Sequence, residues 1–194
     1  MQQPPLEPIA QAPIHGEPMD ASIMYDHTAQ ISAQLNKGAT IEAAGHLGIL
    51  LRFLRSVNDE MVEGHLPAQE AMAFLRQYLK LEMLRTGSKV RYTVDADRRS
   101  LEQKHMVPAM ALLPVIAQAA RSAATSITVE LISTDVGEGS HCVIKYPLRS
   151  PAPELAQRDQ TKARSGLKVE EEIQGNEMTV LVKWPEHHKR KALI

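Results

Sequence analysis

Cysteine occurs once in the 194 residues, at Cys142, so neither an intrachain disulfide nor a cysteine-built metal cluster is available. A reducing, cytoplasmic setting suits that usage, with a buried, inert thiol. An excess of charge of either sign is also missing: 22 Lys and Arg against 23 Asp and Glu leave a formal net charge of −1. Duplex binding needs a pronounced basic surface to displace counterions, so nucleic acid is not an expected partner. No uncharged apolar run approaches the roughly 20 residues that span a bilayer, so no membrane span is expected. The Pro-rich start lacks the basic segment and apolar core of a signal peptide. No Gly-x-Ser-x-Gly elbow marks a serine nucleophile. His15, His65, His105, His187 and His188 are scattered over tails and connecting segments, so no metal and no cofactor is expected.

What is present divides into a tail and two patterned regions. Residues 1–19 carry Pro4, Pro5, Pro8, Pro13 and Pro18, which favours an extended, disordered leader. In 20–64 the positions Ile23, Met24, Ile31 and Leu35 predict a first helix that Asp20 can cap and Asn36-Lys37-Gly38 stops. Ile41, Ala44, Leu47, Leu51 and Leu54 predict a second, from Thr40 to Val57, making an antiparallel hairpin. In 65–186 a third helix with Met72, Leu75, Leu79 and Met83 ends at Gly87, and a strand follows over Lys89–Asp95. An Ala- and Leu-rich helix spans Val107–Ala124, with Pro108 in its first turn and Pro114 at a kink. Strands are predicted at Ile127–Ile132, His141–Tyr146 and Met178–Trp184, the last pairing with Gly166–Ile173 across Gln174-Gly175-Asn176. Residues 187–194 form a basic tail. The class is α+β, with helices on one side of a largely antiparallel sheet.

The run Phe74-Leu75-Arg76-Gln77-Tyr78-Leu79-Lys80-Leu81-Glu82-Met83-Leu84-Arg85 resembles the Phe-Leu-x-x-Tyr-Leu-x-Leu-Glu-x-x-Arg helix of LytS-type sensor histidine kinases. Val107-Pro108-Ala109-Met110-Ala111-Leu112-Leu113-Pro114-Val115-Ile116 is similar to that family's Pro-Pro-x-Leu-Leu-Gln-Pro-Leu-Val segment, and Leu50-Leu51-Arg52-Phe53 to its Leu-Leu-Arg-Tyr. The resemblance covers Leu47 to Ile132. It implies a dimerisation and phosphoacceptor-like hairpin that completes a four-helix bundle in a homodimer, followed by a histidine-kinase-type ATP-binding α/β sandwich. Leu47, Leu50, Leu51 and Leu54 are then the expected dimer interface.

The departures point to a degenerate, pseudokinase-like member. The family's Glu-Asn pair, base and magnesium ligand, is replaced by Ala117-Gln118. Ala117 has no proton acceptor, and Gln118 sets its amide one methylene too far out for the strict octahedral shell of Mg²⁺. Tyr146 to Pro151, where an Asp-x-Gly-x-Gly turn is expected, has neither glycine nor carboxylate; Asp135-Val136-Gly137-Glu138-Gly139 has the spacing but precedes the strand and reads as a turn. The family's phosphoacceptor should lie at Ala29, counting back from Leu35-Asn36; His27 is two residues early, and His46 lies on the second helix. The expectation is a non-catalytic, dimeric docking partner of a response regulator's receiver domain or of an authentic histidine kinase. Two alternatives stand beside it: a phosphotransfer protein relaying through His27 or His46, and an active kinase whose Gln118 replaces Asn. Burial of His27 would favour docking over relay.

Overall fold

A computed structural model describes residues 21–60, 64–87, 89–102, 105–133, 140–149 and 167–184. The expectations placed on the Pro-rich leader, Asp20, Asp135 to Gly139, Ser150 to Ser165 and the basic tail fall outside those residues.

Helices α1 (Ala21–Asn36) and α2 (Thr40–Arg55) form the hairpin, joined at Gly38, whose φ of 74° is a conformation that side chains with a Cβ rarely adopt. A π-helical turn, Ser56–Glu60, continues α2. The two-residue strand β1 (Leu66–Pro67) leads into α3 (Ala68–Thr86), which Gly87 closes in the left-handed region at φ 63°. After β2 (Arg91–Ala96) come the single turn α4 (Arg98–Glu102), β3 (Met106–Val107) and α5 (Ala109–Ser122), with Pro114 inside the last. Strands β4 (Ser126–Ser133), β5 (Ser140–Pro147), β6 (Lys168–Gln174) and β7 (Glu177–Trp184) complete the chain.

The five-stranded sheet has the order β2-β4-β5-β7-β6. The pair β2–β4 is parallel, as the intervening helices require, and the other three pairs are antiparallel. Period-two alternation puts Ile127, Val129 and Leu131 of β4, Cys142, Ile144 and Tyr146 of β5, and Met178, Val180, Val182 and Trp184 of β7 on one buried face. Registers stack them directly: Val129 faces Ile144, which faces Val180. Helices α3 and α5 cover that face with Leu75, Leu79, Leu112 and Ile116, all fully buried. The edge strand β6 is mostly exposed and carries Lys168 and Glu170 to Glu172, charges that discourage strand addition. Cys142 is a buried free thiol whose pKa burial pushes up to about 12, so it stays protonated and unreactive.

The hairpin is not set apart from the sheet layer. Phe53 of α2 stacks on Phe74 of α3 with ring centroids 4.9 Å apart, and Tyr78 lies 5.8 Å from Phe53. The residues that carry the sequence resemblance, Phe74, Leu75, Tyr78, Leu79 and Leu81, are the core that joins the two regions.

Candidate functional site

Helix α2 turns Ala43, His46, Ile49, Leu50 and Phe53 inward, so a histidine stands in the middle of an otherwise apolar stripe. Helix α1 answers it with His27. The two side chains meet inside the hairpin, His27 Nδ1 lying 3.0 Å from His46 Nε2, with rings edge to face at 82°. Both are buried, at 0% and 1% exposure. Such a bond needs one N–H and one bare nitrogen, so the pair cannot hold two protons at the contact. Burial, reinforced by the positive potential of His46, lowers the pKa of His27 to about 4, against smaller opposing effects of Glu82 and Asp26. Burial lowers that of His46 as well. Near neutral pH both rings are uncharged. The remaining nitrogens, His27 Nε2 and His46 Nδ1, are buried without a hydrogen-bond partner among the described residues.

Beside this pair runs a charged relay of side chains on α3. Tyr78 donates its hydroxyl to Glu82 Oε1 at 3.0 Å, and Arg85 donates from Nε and Nη2 to Glu82 Oε2 at 3.1 and 2.7 Å. Glu82 is only 2% exposed, which is tolerable because its charge is paired and its oxygens are hydrogen-bonded. Arg85 reaches on to Asp26 of α1 at 3.7 Å, and Gln30 donates to the Arg85 carbonyl. The hydrogen bond to Glu82 holds the Arg85 guanidinium above its usual range, while burial, with the Glu82 charge beside it, raises the Tyr78 phenol. This network fixes α1 to α3. Its role is positional: each member is engaged in the contacts that hold one helix to the other.

Gln118 lies on the opposite, solvent side of α5, exposed between the buried Ala117 and Ala119. Pro114, Gln118 and Arg121 share that face at helical spacing. Nothing among the described residues brings a carboxylate or a second amide to Gln118, and no group of three metal-ligating side chains exists among them. The two sequence-predicted loci, the histidines and Gln118, are therefore not brought together.

The four leucines of the expected dimer interface divide. Leu50 is buried at 2% inside the chain's own core and Leu54 is half-buried, whereas Leu47 and Leu51 are exposed at 43% and 56%. Ile41, at 86%, continues their stripe, so α2 carries an apolar face inward and a second one outward.

The sequence reading missed a further cluster. His105 Nε2 is 2.8 Å from the Ser133 hydroxyl and its Nδ1 is 3.4 Å from that of Ser140. Asp97 Oδ1 accepts the N–H groups of Ser100 and Ser133. Burial raises the Asp97 carboxyl, but these hydrogen bonds outweigh it and leave the pKa lowered. The cluster pins the ends of β4 and β5 to the α4 turn. The Asp97-x-x-Ser100 spacing, a helix N-cap pattern, was the available signal.

No protein-family model matches the sequence, and no curated protein sequence does. Among solved structures, the catalytic domain of histidine kinase ThkA aligns with a TM-score of 0.45 at 11% identity, over 63% of this chain and 94% of that one. A bacterial phosphotransferase aligns at 0.49 and 14%, over 84% and 89%. The Acinetobacter baumannii histidine kinase AdeS aligns at 0.39 and 11%, over 87% and 97%. All three scores lie below one half, and no assignment follows from them.

Proposed function

We propose that this chain is a non-catalytic, histidine-kinase-like signalling protein of a two-component system, working as a dimeric docking partner of a receiver domain or of an authentic kinase. The observation that carries the reading is the burial of His27. A phosphoacceptor must offer a ring nitrogen to a nucleotide or to a receiver's aspartyl phosphate, and His27 gives Nδ1 to His46 while its Nε2 is enclosed. His46 is enclosed in the same way. The sequence resemblance supports the signalling context, and Ala117 and Gln118 in place of Glu and Asn support the loss of kinase chemistry.

The second copy belongs on the outer stripe of the hairpin. Ile41, Leu47 and Leu51 leave a contiguous apolar strip on α2, with Tyr25 and Leu35 exposed on α1. Exposed apolar area of this kind marks an interaction surface. A Cβ added at Gly45 or Gly48 would meet nothing within 4 Å, so there is room on that helix for the close approach of another. The dimer so formed uses Leu47 and Leu51 between copies and Leu50 within each.

Incubation with radiolabelled Mg·ATP, followed by addition of purified receiver domains, tests the reading. The expected result is no label on the protein at any time, together with a stoichiometric complex with a receiver domain or a kinase. Acid-labile, base-stable label on His27 or His46 would replace docking with relay or kinase activity.

A further inference from the structure

At the end of the molecule where α3 and α5 finish, a cavity of about 490 Å³ is lined by Thr86, Gly87, Lys89, Val90, Arg91, Ala124, Thr125 and Arg149. Three of these side chains are cationic, none is a carboxylate, and among the described residues no ion pair is formed by Lys89, Arg91 or Arg149. In a chain with a net charge of −1, that is a local concentration against the average. The walls are set by backbone hydrogen bonds: Arg91 N–H to the Thr125 carbonyl at 2.9 Å, Ala124 N–H to that of Pro147 at 2.8 Å, and Arg149 N–H to that of Ser122 at 2.9 Å. The left-handed Gly87 turns the chain around the rim.

A purely structural role for the cations is to neutralise the C-terminal ends of α3 and α5. Each end presents roughly half a negative elementary charge, so two of them offset about one of the three positive charges. Among the described lining residues a balance of roughly +2 stays uncompensated, in a concave site of ligand size. From this cavity we infer that the chain binds a small multivalent phosphate anion, held by the Arg91 and Arg149 guanidinium forks and the Lys89 ammonium, with Thr86 and Thr125 hydroxyls available as further donors. The site lies apart from Gln118, which does not line it, and it calls for neither Mg²⁺ nor a glycine-rich lid. It is independent of the docking reading and stands or falls without it.

Isothermal titration of the full chain with tripolyphosphate, ATP and adenosine, all without Mg²⁺ and at low salt, tests the inference. Tripolyphosphate and ATP should bind within a few-fold of each other and adenosine not at all. Arg149→Ala and Arg91→Gln, both at exposed positions, should each weaken binding by about tenfold or more while leaving the thermal midpoint unchanged. Gln118→Ala should bind as the wild type does. If ATP binds and tripolyphosphate does not, the base rather than the charge is being read and the inference fails. It fails equally if no anion binds, if the two arginine variants bind normally, or if Gln118→Ala abolishes binding.

Discussion

His27 and His46, 19 residues apart in the chain, share one hydrogen bond of 3.0 Å inside the hairpin, and their other ring nitrogens have no hydrogen-bond partner among the described residues. The unfolded chain binds protons at both rings below about pH 6.5, whereas folded His27 does so only near pH 4. Protons bound by the unfolded state alone make stability rise with pH, so stability is complete above pH 6.5 and declines as pH falls towards 4. The slope approaches about 1.4 kcal/mol per pH unit for each such histidine. Chemical denaturation at pH 7.5, 6 and 5 should show this fall, and His27→Leu should flatten it. An unchanged slope in that variant would place the sensitive group elsewhere.

The outward stripe of α2 gives a second expectation. Leu51→Glu should yield a monomer by light scattering with little change in thermal midpoint, because the side chain touches solvent in the single copy. Leu50→Glu should instead unfold the hairpin, since it buries an unpaired carboxylate in the core.

Gly45 and Gly48 sit in the middle of a helix where they cost stability. Replacing either with Ala should stabilise an isolated copy by about 0.5–1 kcal/mol, since the new methyl meets nothing. The same change should weaken self-association where two such helices approach closely. Opposite signs in denaturation and in dimer dissociation constants would identify the packing face; matching signs would point to another surface.

Glu82 holds the sheet layer to α1 through Arg85. Glu82→Gln keeps the shape but removes the charge, and should cost about 2–3 kcal/mol in urea unfolding. The double variant with Arg85→Met should recover part of that loss, because the cation no longer lacks its counter-ion. Strict additivity would show that the pair is uncoupled.

Much of this architecture is legible in the chain. The third helix and its Gly87 stop, the alternation of β4, β5 and β7, and the β6–β7 turn at Gly175 all follow from local patterns strong enough to survive tertiary context. The two-residue strands β1 and β3 and the single turn α4 are too short for any period to show. The orientation of α2 was not legible for a different reason. Its leucine stripe reads as the core, yet the core stripe is the one containing His46, a residue counted as polar until its partner His27 is known. Pairing between residues 19 apart is a fact of the fold, and no local pattern announces it. The Tyr78-Glu82-Arg85 network was readable as a motif but not as a joint, because its role depends on Asp26 and Gln30 from another helix.

The Phe53–Phe74 stack has a mechanical meaning. In a signalling machine whose helical stalk swivels on a flexible tether, a partner can grip the stalk without disturbing the head. Here the stack and the Asp26–Arg85 contact couple both hairpin helices to α3, so a load on α1 or α2 bears on α3, and through α3 on the strands packed beneath it.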